Sequence, residues 1–440
     1  MTLRVPLLAC TFLAAATVTG ADWPGFGGPN RDGVSTETGL AQKWPDGGPP
    51  KVWSVGGLGL GWGTPSVAGG KIYGLGLRDG KDGVWALDET TGKELWFAPI
   101  ADTAADHGPQ TNGPASTPTV HNGKVYAVSH NGTVACLDAA DKGKVVWTKN
   151  YVTDFGGVGV NSKDKTKWGY NDSVLADGDK IICAPGGPKA ALAALKADTG
   201  ETIWTAEAGP VGPGQGYSSP VKATIAGVPM YVILTGNTGG LLGVHADTGK
   251  VLWRYKGSAA TGGVAQIPLP IVKGDRVWVS CSYSGGSALL QIVPKGKDAF
   301  DVKEIKAYKK PELNNHHGGM VLVGDYIYFG HDQNKGFPVC VEFKTGEIKW
   351  GPVTKDVAGG SGSAAVLYAD GRLYFRYQNG VMVLIEPSPD DLKVVSSFKL
   401  PAADQKSFSQ SWPHPVIANG KLYIRDQNAL HCYNVKAQGN

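Results

Sequence analysis

The feature that most narrows what this chain can fold into is one motif present in five copies. VWALDETTGKELW, from Val84 to Trp96, comes back as VACLDAADKGKVVW ending at Trp147 and LAALKADTGETIW ending at Trp204. It comes back again as LLGVHADTGKVLW ending at Trp253 and VCVEFKTGEIKW ending at Trp350. Self-similarity at a period of roughly 45–55 residues calls for a repeat architecture before any other fold. Each copy reads as a hairpin. Val84 and Ala86 alternate with Trp85 and Leu87 at the two-residue strand period. Asp88 closes the strand, because its short carboxylate accepts backbone N–H groups in the turn. Gly92 supplies the positive φ that a short hairpin loop needs. The indole that ends each return strand is expected to pack between neighbouring units, burying on the order of 200 Å². Trp53, Trp96, Trp147, Trp204, Trp253 and Trp350 form this structural set.

A second hairpin precedes each of these. TPSVAGGKIYGLG begins at Thr64, TPTVHNGKVYAVS at Thr117, SVLADGDKIICAP at Ser173 and LPIVKGDRVWVSC at Leu269. GMVLVGDYIYFGH begins at Gly319, AAVLYADGRLYFRY at Ala364 and HPVIANGKLYIRD at His414. Two hairpins make a four-stranded blade, and blades repeated around an axis make a β-propeller. Return strands end near Trp96, Trp147, Trp204, Trp253, Ile305, Trp350 and Phe398, which gives seven blades. After them, the hairpin from Pro415 to Arg425 and a third strand from Ala429 to Tyr433 lack a fourth. Lys51-Val52-Trp53-Ser54 is a return strand with no blade ahead of it. Pairing these two orphans removes an open sheet edge. The expected fold is therefore all-β: an eight-bladed β-propeller over residues 51–440, closed by an N-terminal strand in the last blade. Seven blades is the alternative.

Ahead of the ring, residues 1–21 read as an export signal. Arg4 is followed by an apolar run from Val5 to Val18, and small residues up to Ala21 offer a cleavage point. The run is too short to span a bilayer as a helix, so no transmembrane segment is expected. Residues 22–50 are rich in Gly and Pro without periodicity and read as an extended arm, pinned across the ring by Trp23, Phe26 and Trp44. Cys136, Cys183, Cys281, Cys340 and Cys432 each fall on a strand of a different blade, where cysteine packs as a small apolar residue. The formal net charge of +4, with both signs scattered, argues against nucleic acid as a partner. A monomer is expected.

Within such a blade the hairpin turns lie on one face, and here they are short and uniform, as at Gly69-Gly70 and Thr91-Gly92. The other connections are long and polar and lie on the opposite face, where a rigid ring carries its function. The segments leading into the central strands hold Trp62, Asn112, Trp168, Tyr170, Asn171, Gln215, Tyr217 and Gln266. They also hold His316, His317, Ser363, Trp412 and His414. The ring converges these on its axis, as a funnel suited to a planar or sugar-like ligand or as a plug that satisfies loop backbone. The plug is the preferred reading. His316 and His317 are adjacent on extended chain and should point to opposite sides, and neither HxH nor HExxH is present, so no metal is expected. Arg78, His130, Asp332, Arg376, Arg425 and Asp426, which follow second strands, read as a solvated rim.

The run Ala86-x-Asp88-x-x-Thr91-Gly92-Lys93-x-x-Trp96 resembles the tryptophan-docking motif of pyrroloquinoline quinone (PQQ) propeller repeats, over roughly Lys51 to Tyr433. That superfamily includes quinoprotein alcohol dehydrogenases and the propeller lipoprotein of the outer-membrane β-barrel assembly machine. DWPGFGGPNRDGVS and NNHHGGMVLVGDYIYFGH resemble, more narrowly, the exported PQQ-like propellers of planctomycetes. For a dehydrogenase the resemblance implies PQQ, calcium ligands, an aspartate base and, in alcohol dehydrogenases, a disulfide between neighbouring cysteines. This chain has no adjacent cysteines, and Asp172 is the one carboxylate set just before a central strand. The reading preferred over a PQQ-dependent alcohol or sugar dehydrogenase is a non-catalytic periplasmic or secreted scaffold. It would hold an envelope protein, peptide or glycan on its long-loop face, with an assembly-factor role as one form.

Overall fold

The computed structural model describes residues 21–103, 113–159, 168–209, 214–236, 239–261, 266–401 and 411–437. The expected signal segment lies outside these, apart from Ala21. Eight sheets succeed one another along the chain, each built on four antiparallel strands, and that of blade 7 carries a fifth strand from the arm. Blade 1 is built from Ser66–Ala68, Lys71–Arg78, Lys81–Asp88 and Glu94–Asp102. The eight-bladed ring closes as the orphan strands require. Lys51–Val55 pairs antiparallel with Ala429–Asn434, and Trp53 lies opposite Cys432. Helix among the described residues amounts to two short turns, Tyr151–Phe155 and Ser258–Thr261.

Neighbouring blades meet through the indoles of the outer strands. The Trp53 ring lies against Gly92 of blade 1, so close that a Cβ there would stand 2.7 Å from it. Gly92 also has φ +71, so glycine is demanded twice over. Trp96 covers Gly143, Trp147 covers Gly200 and Trp204 covers Gly249, each one blade onward. The indole N–H groups of Trp53, Trp147, Trp204 and Trp350 donate to the carbonyls of Glu89, Ala197, Ala246 and Ser388 at 3.3, 3.0, 3.2 and 2.8 Å. Trp253 departs from the series. Blade 5 has no Thr-Gly turn but a long hairpin, Gly286–Gly296 and Ala299–Lys309, so Trp253 packs on Gly243 of its own blade instead.

Two anchors differ from the sequence expectation, and a bulge is the reason. In blade 1 the register skips Leu95, setting Trp96 opposite Ala86 and Glu94 opposite Leu87. The same skip in blade 5 pairs Lys306 with Leu289 and Glu304 with Leu290, so Ile305 sits in the bulge and Lys306 holds the tryptophan's place. In blade 7 that place belongs to Ser396, opposite Leu384, and Phe398 lies two residues beyond it. The missing indole comes from the arm. Trp44 is 2% exposed, its backbone N–H donates to Ser396 Oγ at 3.0 Å, and its ring lies 5.6 Å from Tyr374. That is the relation Trp96 has to Tyr73 (5.9 Å) and Trp350 to Tyr328 (6.2 Å) in their own blades.

The arm crosses the short-turn face rather than lying loosely on it. Trp23 exchanges two backbone hydrogen bonds with Val67 of blade 1, and Pro24 accepts from Val120 of blade 2. Arg31, buried, donates to the carbonyls of Ser173 and Val174 in blade 3 at 2.7 and 2.9 Å. Val34–Ser35 then adds a parallel fifth strand to the inner strand of blade 7, Ala364–Ala369. Glu37 accepts the backbone N–H groups of Asn419 and Gly420 in blade 8. Trp23 and Trp44 are buried as pins, whereas Phe26 turns toward the axis, its ring 5.1 Å from His414. The five described cysteines are buried, and none of them is joined in a disulfide.

Candidate functional site: an aromatic cup on the axis

The inner strands begin where the long connections end, so the connections decide which side chains reach the axis. Two buried arginines fix two of them. Arg425, at the end of the second strand of blade 8, donates through Nη1 and Nη2 to the carbonyls of Gly63 and Gly59 at 3.2 Å each, and through Nε to Gln427 at 3.0 Å. Those glycines flank Trp62. Arg376, the corresponding residue of blade 7, reaches the Pro413 carbonyl and Ser411 Oγ, on either side of Trp412. Neither guanidinium is part of a solvated rim, since Arg376 and Arg425 are 1% and 0% exposed. Burial pushes their pKa values down to about 10 and about 9.

The delivered rings build a cup of about 140 Å³ on the long-loop face. Trp62 stacks on Trp168 at 5.7 Å and meets Trp412 edge-on at 4.5 Å. Trp412 stacks in turn on His317 at 4.2 Å and donates its indole N–H to Gln378 Oε1 at 3.1 Å. Tyr217, Tyr283, Asn171 and His414 complete the wall, and Phe26 of the arm reaches it from below. A second cavity of about 220 Å³ lies on the arm's side, and the two share Phe26, Ile267, His317 and His414.

Of the residues expected at the axis, Trp62, Trp168, Asn171, Tyr217, His317, Trp412 and His414 line this cup. Asn112 lies outside the described residues. The others stand behind the wall. Tyr170 packs edge-on against Tyr151 at 5.1 Å. Gln266 offers its carbonyl to the N–H groups of Tyr217 and Ser218. His316 is held between Ser363 Oγ at 2.8 Å and the Tyr283 hydroxyl at 3.1 Å. The rings of His316 and His317 are not on opposite sides but 3.7 Å apart. The register of their strand is interrupted between Asn315 and Met320, so the alternation expected of extended chain fails there. Phe26, Tyr283 and Ile267 carried no sequence signal, because nothing local marks them as axial.

The electrostatics of the cup are those of a neutral, desolvated wall. Burial pushes the His316 and His414 imidazoles down to about 3 and about 4, and holds His317 well below its usual range. Among the described residues, no carboxylate, lysine or arginine belongs to the lining. Asp172 lies beneath it, fully buried and spent. Its Oδ2 accepts from the Tyr151 hydroxyl at 2.9 Å and the Ala184 N–H at 3.2 Å, and its Oδ1 from Gln215 Nε2 at 2.6 Å. Burial pushes its pKa up to about 7.

That shift carries a stability prediction with a definite sign. The folded chain holds the Asp172 proton more tightly than the unfolded chain, so ionisation costs stability as pH rises from about 4 to about 7. Asp172→Asn removes this dependence and adds an offset that does not vary with pH. The wild type should lose on the order of 1–3 kcal/mol relative to the variant between those pH values in urea melts. A constant difference would show that Asp172 titrates as an ordinary carboxylate. His316 and His414 act oppositely: neutral in the fold, they lose stability as pH falls from about 6.5 toward their own values.

The cup does not fit PQQ with calcium. Calcium takes about 6–8 oxygen ligands, most often carboxylates, and among the described residues no group of three His, Cys, Asp or Glu side chains could hold a metal ion. PQQ would bring three carboxylates against indoles and neutral imidazoles, with no cation among the described lining residues to meet them.

Comparison with known proteins places this geometry. Residues 59–162 and, overlapping them, 80–352 match the family described as outer membrane protein assembly factor BamB. Over 280 residues the chain is 27% identical to the outer membrane protein assembly factor BamB of Shewanella oneidensis, which covers 60% of this chain and 62% of that protein. Over 279 residues it is 25% identical to a polyvinylalcohol dehydrogenase of Pseudomonas sp., covering 56% of this chain and 42% of that one. The chain thus spans less than two thirds of either relative. A europium-containing methanol dehydrogenase superposes with a TM-score of 0.61 over 92% of this chain and 89% of its own, at 13% identity, a likeness of fold alone. No helix among the described residues is long and apolar enough to cross a membrane. The repeats, the ring they close and a match running from residue 59 to residue 352 together mean that this chain belongs to the PQQ-like β-propeller family of the outer membrane protein assembly factor BamB.

Proposed function

We propose that this chain is a non-catalytic binding propeller of the cell envelope that holds its ligand on the long-loop face. The observation that carries this reading is the chemistry of the axis. A dehydrogenase needs a base beside the reacting carbon, and among the described residues the acid under the cup, Asp172, is fully buried and already accepts from Tyr151, Ala184 and Gln215. Kinship with an outer-membrane assembly factor supports a protein partner on that face, and a scaffold role in assembly is the specific form of this reading. The export signal read at residues 1–21 supports an envelope location, and amino-terminal sequencing of the mature protein should then begin near Asp22. The competing reading, a PQQ-dependent dehydrogenase, draws on the polyvinylalcohol dehydrogenase relative.

One experiment separates the two. The full chain is incubated with PQQ and calcium and offered primary alcohols, polyvinyl alcohol and sugars with an artificial electron acceptor. Dye reduction at the rate of the protein-free blank, with no rise in melting temperature on adding PQQ, is the expected result. Turnover proportional to protein concentration would end the non-catalytic reading. In the companion measurement, the full chain immobilised by its C-terminus should retain a stoichiometric envelope protein or glycan at physiological salt.

A further inference from the structure

Three polar atoms of the cup wall are buried with no hydrogen-bond partner among the described residues: Trp62 Nε1, Asn171 Oδ1 and the Tyr217 hydroxyl. They are a donor, an acceptor and a group that is both. Buried polar atoms are ordinarily satisfied, so three around one cavity mark oxygen-bearing contents. Two hydroxyls of the lining add to the inventory. Thr64 Oγ1 accepts the His414 N–H at 2.9 Å and Ser173 Oγ accepts the Thr117 N–H at 2.8 Å, and neither bond uses the hydroxyl's own proton.

The rest of the wall is apolar. The faces and edges of Trp62, Trp168 and Trp412 dominate it, and Phe26 bounds it from the arm's side. Trp168, 36% exposed, is the ring nearest solvent and stands at the mouth. A charged guest would give up its hydration to a lining whose described residues include no counter-ion. A purely apolar guest would leave the three polar atoms unpaired. A guest with apolar C–H faces and neutral hydroxyl edges satisfies both halves of the wall, its hydroxyls standing where water would stand.

We infer that the axial cup binds one neutral, polyhydroxylated ring of monosaccharide size, either free or as the terminal residue of a glycan entering from the long-loop face. The inference rests on the non-catalytic reading above and assigns its ligand class. Nothing in it requires a bond to be made or broken.

The test is titration of the full chain with the methyl glycosides of glucose, galactose, mannose, xylose and N-acetylglucosamine. Indole fluorescence and calorimetry follow binding up to about 50 mM, where sites of millimolar affinity register. At least one glycoside should saturate at one per chain and shift the indole emission. Trp62→Phe, which keeps a ring and removes the N–H, and Tyr217→Phe should each weaken it about tenfold, the equivalent of one hydrogen bond. Trp168→Ala, on a partly exposed side chain, should do the same. Galacturonate and glucosamine should bind at least about tenfold more weakly than galactoside and glucoside, since each brings a charge to a lining without a counter-ion. Absence of saturation by every glycoside overturns the inference, as does binding that all three variants leave unchanged or that the uronate matches. The two readings fail separately: PQQ-dependent turnover removes both, whereas capture of a protein partner with no glycoside binding removes only the sugar.

Discussion

Trp44→Ala should lower the unfolding free energy by about 3–5 kcal/mol, the range for deleting a fully buried large aromatic side chain. The magnitude follows from where the ring sits. Blade 7 has Ser396 at the position where other blades carry their outer-strand tryptophan, and the arm's indole fills that space. Its contacts reach Tyr374 and, at 5.1 Å, Phe398, which itself packs on Tyr433 of blade 8. Truncation therefore opens the joint between blades 7 and 8 and frees the end of the arm together. Guanidinium melts should show the lowered midpoint, and limited proteolysis should newly cut within residues 22–50. Trp44→Phe should recover a good part of the loss. An alanine variant with the wild-type midpoint and an uncut arm would mean that Trp44 does not complete blade 7.

Arg425→Met should cost a similar amount, about 3–5 kcal/mol, for a polar reason rather than a packing one. The carbonyls of Gly59, Gly63 and Gln427 all accept from one guanidinium, and the substitution removes three bonds at once from a buried site. Arg425→Lys should be nearly as damaging, because an ammonium lacks the planar fork that serves separated acceptors and loses its proton more readily when buried. Since the same fork fixes the backbone around Trp62, both variants should also alter the indole emission before any unfolding. A lysine variant that melts like the wild type would show that the fork is dispensable.

Much of the ring was legible because its determinants are local. The strand alternation around Val84 to Leu87, the Asp and Gly of each turn and the recurrent indole all act within a dozen residues. Even closure could be read, because an unpaired return strand at Lys51–Val55 and an incomplete last blade each lacked what the other supplied. Local reasoning failed first at register. Ile305 and Phe398 are apolar residues near the right place, but a bulge shifts pairing by one residue, and only the partner strand shows on which side of it an anchor falls. It failed again at Arg376 and Arg425, which resemble any charged loop tip until their partners are known. Gly63 is 362 residues from Arg425 in sequence.

The sequence by itself determined the repeating unit, favoured eight units over seven and marked which connections are long. Pleat period and turn chemistry belong to neighbouring residues and are written wherever those residues are. Tertiary structure alone decided that an arm without periodicity would cross the short-turn face, lend Trp44 to blade 7 and turn Phe26 to the axis. It also decided that the cup would be neutral. Whether an imidazole or a carboxylate keeps its charge depends on how much water the assembled ring leaves beside it, and that is a property of the packed molecule rather than of any stretch of chain.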